Sequence, residues 1–77
     1  MKLIKKTIGI LGGGQLGKMI ATAAKDLGYR TILYCPNGDN PAEYNVNEYI
    51  DGNWDDNEKL QIFATKVDVI TSEFENI

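Results

Sequence analysis

The segment Ile8-Gly9-Ile10-Leu11-Gly12-Gly13-Gly14-Gln15-Leu16-Gly17-Lys18-Met19 constrains the fold more than any other part of the chain. A β-branched apolar run leads into three glycines, and an apolar pattern at helical spacing follows. Gly12, Gly14 and Gly17 satisfy G-x-G-x-x-G with a strand before the motif and a helix after it, the context that gives the motif meaning. Gly12 permits a sharp turn. Gly14 lets a ligand approach the main chain without meeting a Cβ, and Gly17 lets the helix lie close to the strand. The helix start then turns backbone N–H groups and the positive end of its dipole toward whatever lies over the turn. The segment predicts a site for a small anionic or polar ligand and leaves its identity open. The plain alternative is a tight β–α turn that holds nothing.

The rest of the chain alternates strands with helices. Thr7–Leu11 alternates too little for a strand open to water on one face, and such runs belong to parallel sheets covered on both sides. A helix is expected over residues 15–27. Leu16, Met19, Ile20, Ala23 and Leu27 would form its core stripe, with Met19 as core filler and Gly28 closing it. Arg30–Cys35 reads as a second strand, residues 36–41 as a dense turn, and Pro41–Asn45 as one helical turn. Glu48–Asp51 reads as an edge strand. Asp55 and Glu58 form a helix-start signal, and that helix runs to about Lys66 with Leu60, Phe63, Ala64 and Val67 on one face. Residues 67–70 read as the fourth strand. This pattern predicts a parallel, doubly wound α/β sheet of about four strands in the order 3-2-1-4. The chain direction reverses between strands one and four, and ligands bind beyond the carboxyl ends of the strands at such a switch point. The topology thus brings Gln15 toward Glu73.

Composition narrows the function. At 77 residues and a net charge of −3, with basic residues grouped only at Lys2, Lys5 and Lys6, the chain does not read as a nucleic-acid binder. It has no histidine, so zinc sites built on His and Ser-His or Cys-His catalysis are excluded from these residues, and no metal site is expected. The single cysteine, Cys35, is expected to be a small buried or half-buried residue, and it suits a reducing compartment. No run approaches membrane-spanning length, so the expected location is cytoplasmic. A nicotinamide dinucleotide needs an acid at the end of strand two to hold its ribose. Tyr34-Cys35-Pro36-Asn37 stands there instead, and Asp39 comes late. Glu73 and Glu75 would repel a pyrophosphate but suit ribose hydroxyls or an amine; solvated charge at a strand end is the alternative.

Four segments carry a resemblance. They are the glycine segment 12–19, Pro36 with Asp39-Asn40-Pro41-Ala42, Trp54-Asp55-Asp56 with Leu60, and Asp68-Val69-Ile70-Thr71-Ser72-Glu73-Phe74-Glu75-Asn76. Together they resemble the N-terminal domain of the N5-carboxyaminoimidazole ribonucleotide synthase family, the ATPase subunit of phosphoribosylaminoimidazole carboxylase in purine synthesis. The resemblance implies a Rossmann-like domain that precedes an ATP-grasp fold and forms one wall of the 5-aminoimidazole ribonucleotide pocket. It implies contacts to that ribonucleotide from Gln15, Leu16 through its backbone, and Glu73, with Gly12, Gly13, Gly14 and Gly17 as the ligand loop. Glu75 and Asn76 are secondary candidates, and no residue here is assigned to catalysis. MgATP and bicarbonate would bind mainly in later ATP-grasp domains, and the intact enzyme would be a homodimer. The chain departs from the family at Tyr34-Cys35-Pro36, where an acid is common, and at Lys18, where Arg is common. It stops just past strand four, so it is expected to be a fragment, inactive alone and marginally stable. Two other readings stay open: a nicotinamide-dinucleotide-binding module, and a non-catalytic fragment that acts by association.

Overall fold

The computed structural model describes residues 6–38 and 40–72. Four strands alternate with two helices: β1 (Thr7–Leu11), α1 (Gln15–Asp26), β2 (Arg30–Cys35), β3 (Glu48–Asp51), α2 (Asn57–Thr65) and β4 (Val69–Ser72). A 3-10 turn, Pro41–Asn45, lies between β2 and β3. All strand pairs are parallel and the order is β3-β2-β1-β4, as the alternation predicts. Gly9 stands between Ile32 of β2 and Ile70 of β4.

Helices cover both faces of the sheet. Ile10, Leu33 and Cys35 pack with Ala21 of α1 and Ala42 of the 3-10 turn. Ile32 and Tyr34 pack with Phe63 of α2 on the other side. This is why residues 31–35 are all buried and carry no polar alternation. A strand glycine sets the second layer. A Cβ on Gly9 would lie 2.6 Å from Cζ of Phe63 and 3.0 Å from both γ-carbons of Val67. The bare Cα lets the Phe63 ring sit directly on the sheet. Its centroid is 5.4 Å from that of Tyr34. The Tyr34 hydroxyl donates to the Asn53 carbonyl at 2.6 Å. Burial, followed by the carboxylates of Asp56, Asp55 and Asp51, raises its pKa above the usual tyrosine value.

Four expectations need correction. α1 does not bury its large apolar stripe. Leu16, Met19 and Leu27 are 45%, 65% and 73% exposed, while Gly17, Ala21 and Ala24 are buried and Ile20 packs beside them. Met19 is therefore not core filler. The helix follows a tight turn and lies close to the sheet, so its inner face admits Gly and Ala and the bulky side chains are turned away. α2 is capped by Asp56 and not by Asp55: the Asp56 carboxylate accepts the Lys59 N–H at 3.1 Å. Ala64, placed on the inner face by the pattern, is exposed. β4 begins at Val69, two residues later than expected. Asp68 is engaged at the start of β1, where its carboxylate accepts the Thr7 N–H at 2.7 Å and its own N–H donates to the Thr7 carbonyl at 2.8 Å.

Candidate functional site

β1 delivers the chain into the glycine turn at the carboxyl end of the sheet. Gly12 has φ 107°, a conformation that side chains with a Cβ rarely adopt. Its N–H donates to the Tyr34 carbonyl at 3.1 Å and closes the β1–β2 pair. The Gly13 carbonyl accepts the Ala42 N–H at 3.0 Å. Gly14 is the N-cap of α1, with no side-chain cap, and its carbonyl accepts the Lys18 N–H at 3.0 Å. Gln15 and Leu16 open the helix and are both exposed, whereas Gly17 is buried. The turn and close-packing roles read for Gly12 and Gly17 match this arrangement. Gly14 has φ −78° and ψ −163°, dihedrals open to any residue, so conformation does not account for glycine there.

Pattern reading gave no structural role to Gly13, yet it too is sterically locked. A Cβ on it would lie 2.7 Å from Cβ of Asn40 and 2.9 Å from both Cγ and Oδ1 of Asn40. Asn40 and Ala42 lie directly against the turn. Asn40 Nδ2 donates to the Pro36 carbonyl at 2.9 Å and to the Tyr49 hydroxyl at 3.5 Å. The Tyr49 hydroxyl donates to the Cys35 carbonyl at 3.2 Å. The Asn37 N–H donates to Oδ1 of Asp51 at 2.8 Å. Burial first, then the neighbouring Cys35, pushes the Tyr49 pKa up to about 12, so the hydroxyl keeps its proton at neutral pH. The dense turn chemistry of residues 36–41, at the end of the strand beside β1, was the one sequence signal that could have pointed to this loop.

The end of β2 offers no carboxylate to a ribose. Tyr34 is fully buried and Cys35 is 2% exposed, as expected for that small residue. Asp51, at the end of β3, is engaged with the Asn37 N–H. On the other side of β1, Ser72 lies opposite Leu11, the residue just before the turn. Glu73, Glu75 and Asn76 lie outside the described residues. Among the described residues no three Asp, Glu or Cys side chains come together to hold a metal ion, and no helix is long and apolar enough to cross a membrane. A polar hollow lined by Lys25, Tyr29, Arg30, Tyr44 and Asn47 lies at the opposite end of the sheet, away from the glycine turn. The turn, the start of α1 and the end of β4 thus lie at the carboxyl ends of neighbouring strands, at the switch point of the sheet. Such a place can bind a small polar ligand through backbone N–H groups and the exposed Gln15 side chain.

Comparison with known proteins gives a consistent picture. Residues 5–77 match the family model of the ribonucleotide synthetase preATP-grasp domain. N5-carboxyaminoimidazole ribonucleotide synthase of Staphylococcus epidermidis is 49% identical over 71 residues, which are 92% of this chain and 19% of that relative. The crystal structure of N5-carboxyaminoimidazole synthetase from Staphylococcus aureus complexed with ADP superposes with a TM-score of 0.88 at 46% identity, over 100% of this chain and 21% of that one. The Aspergillus clavatus synthase, solved with ADP and 5-aminoimidazole ribonucleotide, gives a TM-score of 0.80 at 28% identity, over 95% of this chain and 20% of that one. The chain thus spans about a fifth of the length of the relatives it matches.

Proposed function

The chain belongs to the ribonucleotide synthetase preATP-grasp domain family, and from that premise we propose that it is the substrate-pocket domain of an ATP-dependent ligase. The reaction would carboxylate the exocyclic amine of 5-aminoimidazole ribonucleotide with bicarbonate, in purine synthesis. The observation that carries this reading is the glycine turn: it sets exposed Gln15 and Leu16 just past the carboxyl end of β1, which pairs with β4. Gln15 would contact the ribonucleotide through its amide and Leu16 through its backbone N–H, with Gly12, Gly13, Gly14 and Gly17 shaping the loop. Glu73 would accept hydrogen bonds from ribose hydroxyls or from the substrate amine, with Glu75 and Asn76 as secondary contacts. The relative solved with both ADP and 5-aminoimidazole ribonucleotide supports this choice of substrate.

MgATP would supply the phosphoryl group that activates bicarbonate. The described residues do not fit it, because they bring no metal-ligand cluster together. MgATP and bicarbonate are therefore assigned to further ATP-grasp domains of the same enzyme, homodimeric when intact. Residues 1–77 alone would neither hydrolyse ATP nor carboxylate the ribonucleotide; their part is to bind and orient the substrate. The dinucleotide reading is disfavoured by the buried Tyr34 and Cys35 where a ribose-binding acid would stand. Calorimetric titration of the chain with 5-aminoimidazole ribonucleotide, NADH and NADPH separates the two. Binding of the ribonucleotide alone supports the proposal, and tight binding of either dinucleotide overturns it.

A further inference from the structure

The glycine turn is not held by its own residues alone. Two contacts from residues 40–42 converge on Gly13: the Ala42 N–H reaches its carbonyl at 3.0 Å, and the Asn40 side chain fills the place a Gly13 Cβ would take. Asn40 has φ −118° and ψ 93°, ordinary extended backbone, so the site asks for its side chain and not for a special conformation. That side chain is itself tied down. Its Nδ2 donates to the Pro36 carbonyl and to the Tyr49 hydroxyl, and Tyr49 reaches back to the Cys35 carbonyl at the end of β2. Hydrogen bonds therefore tie the Asn40 amide to the Pro36 carbonyl and, through Tyr49 of β3, to the Cys35 carbonyl at the end of β2, and the same side chain packs on the face of Gly13. Gln15 and Leu16 follow two and three residues later, so a displaced Gly13 displaces the start of α1 with it.

We infer that Asn40 is a positioning residue for the ligand-facing turn: seated on Gly13 and held by Pro36 and Tyr49, it fixes where Gln15 and Leu16 begin α1. Its consequence for binding rests on the ribonucleotide-pocket reading above. Aspartate in its place would keep the shape but lose both donated bonds, and would set a carboxylate against the Pro36 carbonyl.

The test compares Asn40→Asp with Asn37→Asp, the same change at an exposed position of the same segment. In amide spectra of the chain, Asn40→Asp is expected to move the resonances of Gly13, Gly14, Gln15 and Leu16. It should also speed exchange of the Ala42 N–H about tenfold. Ile10 and Leu33 should keep their resonances, and Asn37→Asp should leave the turn unchanged. Affinity for 5-aminoimidazole ribonucleotide should fall about tenfold with Asn40→Asp alone. Turn resonances no more shifted than in Asn37→Asp overturn the inference, as does a shifted turn with unchanged ribonucleotide affinity. If the unaltered chain takes no ribonucleotide while the turn still moves with Asn40→Asp, the pocket reading fails and the positioning of the turn stands. Should Asn40→Asp not fold, Gly13→Ala is measured with and without Asn40→Gly. Partial recovery of the melting temperature in the double variant supports the interlock, and additive losses overturn it.

Discussion

Phe63→Ala should remove a large share of the stability of this domain. The ring is 1% exposed and rests on the bare Cα of Gly9, beside Tyr34. Deleting a buried phenylalanine side chain costs about 3–5 kcal/mol, from lost transfer energy plus the cavity left behind. A chain of 77 residues is stable by only about 4–12 kcal/mol, so the variant stands at the edge of unfolding or past it. Gly9→Ala attacks the same contact from the sheet side. Its new Cβ would sit 2.6 Å from Cζ of the ring, and overpacking of this kind costs about 1–3 kcal/mol. Leucine at position 63 is shorter than phenylalanine and withdraws from the Gly9 side, so Gly9→Ala and Phe63→Leu should partly compensate. The coupling should be at least about 0.5 kcal/mol. Urea unfolding followed by circular dichroism and by Trp54 fluorescence measures it, since the Trp54 ring lies 5.9 Å from Tyr34 and reports on the α2 side. A loss below about 1.5 kcal/mol for Phe63→Ala, or additivity of the pair within about 0.3 kcal/mol, would refute the docking of α2 through this one ring.

Asp56→Ala should cost about 1 kcal/mol by removing the cap of α2, while Asp55→Ala should change the urea midpoint little, because Asp56 alone accepts the Lys59 N–H. Stability should fall in alkali. Tyr49 is pushed up to about 12 and Tyr34 is raised in the same direction, so the fold favours their protonated forms. That contribution is fully present below the unfolded tyrosine pKa of about 10, and it is lost as pH rises from there through the folded values. Urea midpoints at pH 8 and pH 11 should show the drop, and Tyr49→Phe should flatten it; an equal drop in that variant contradicts the assignment.

The sheet was legible because β1 and β2 are short apolar runs bounded by Gly or Pro, and alternation with helices leaves few topologies open. The buried face of α1 was not. Counting large apolar residues selects Leu16, Met19 and Leu27, whereas the close approach to the sheet selects Gly17, Ala21 and Ala24. The start of β4 was misread because Val67-Asp68-Val69-Ile70 looks like a strand throughout, and only the pairing with Thr7 shows that Asp68 has another use. Gly9, Gly13 and Asn40 share a deeper reason. What each position demands is set by a side chain or turn at least 27 residues away, and no local pattern records it. The place that Gln15 and Leu16 occupy could be read from motif and topology, because a parallel sheet places the ends of β1 and β4 side by side.

The most direct test of the ribonucleotide-pocket assignment uses a hybrid in which residues 1–77 replace the corresponding fifth of the Staphylococcus aureus synthetase. Steady-state kinetics are then measured for Gln15→Ala and Glu73→Ala. Loss of one charge-assisted bond costs about 1.5–3 kcal/mol, and 1.4 kcal/mol is one decade, so Glu73→Ala should raise the KM for 5-aminoimidazole ribonucleotide at least about tenfold. Gln15→Ala should raise it less, in keeping with a neutral bond, and the KM for ATP should stay constant in both. A change in the KM for ATP with an unchanged KM for the ribonucleotide would contradict the assignment of this domain to the substrate pocket.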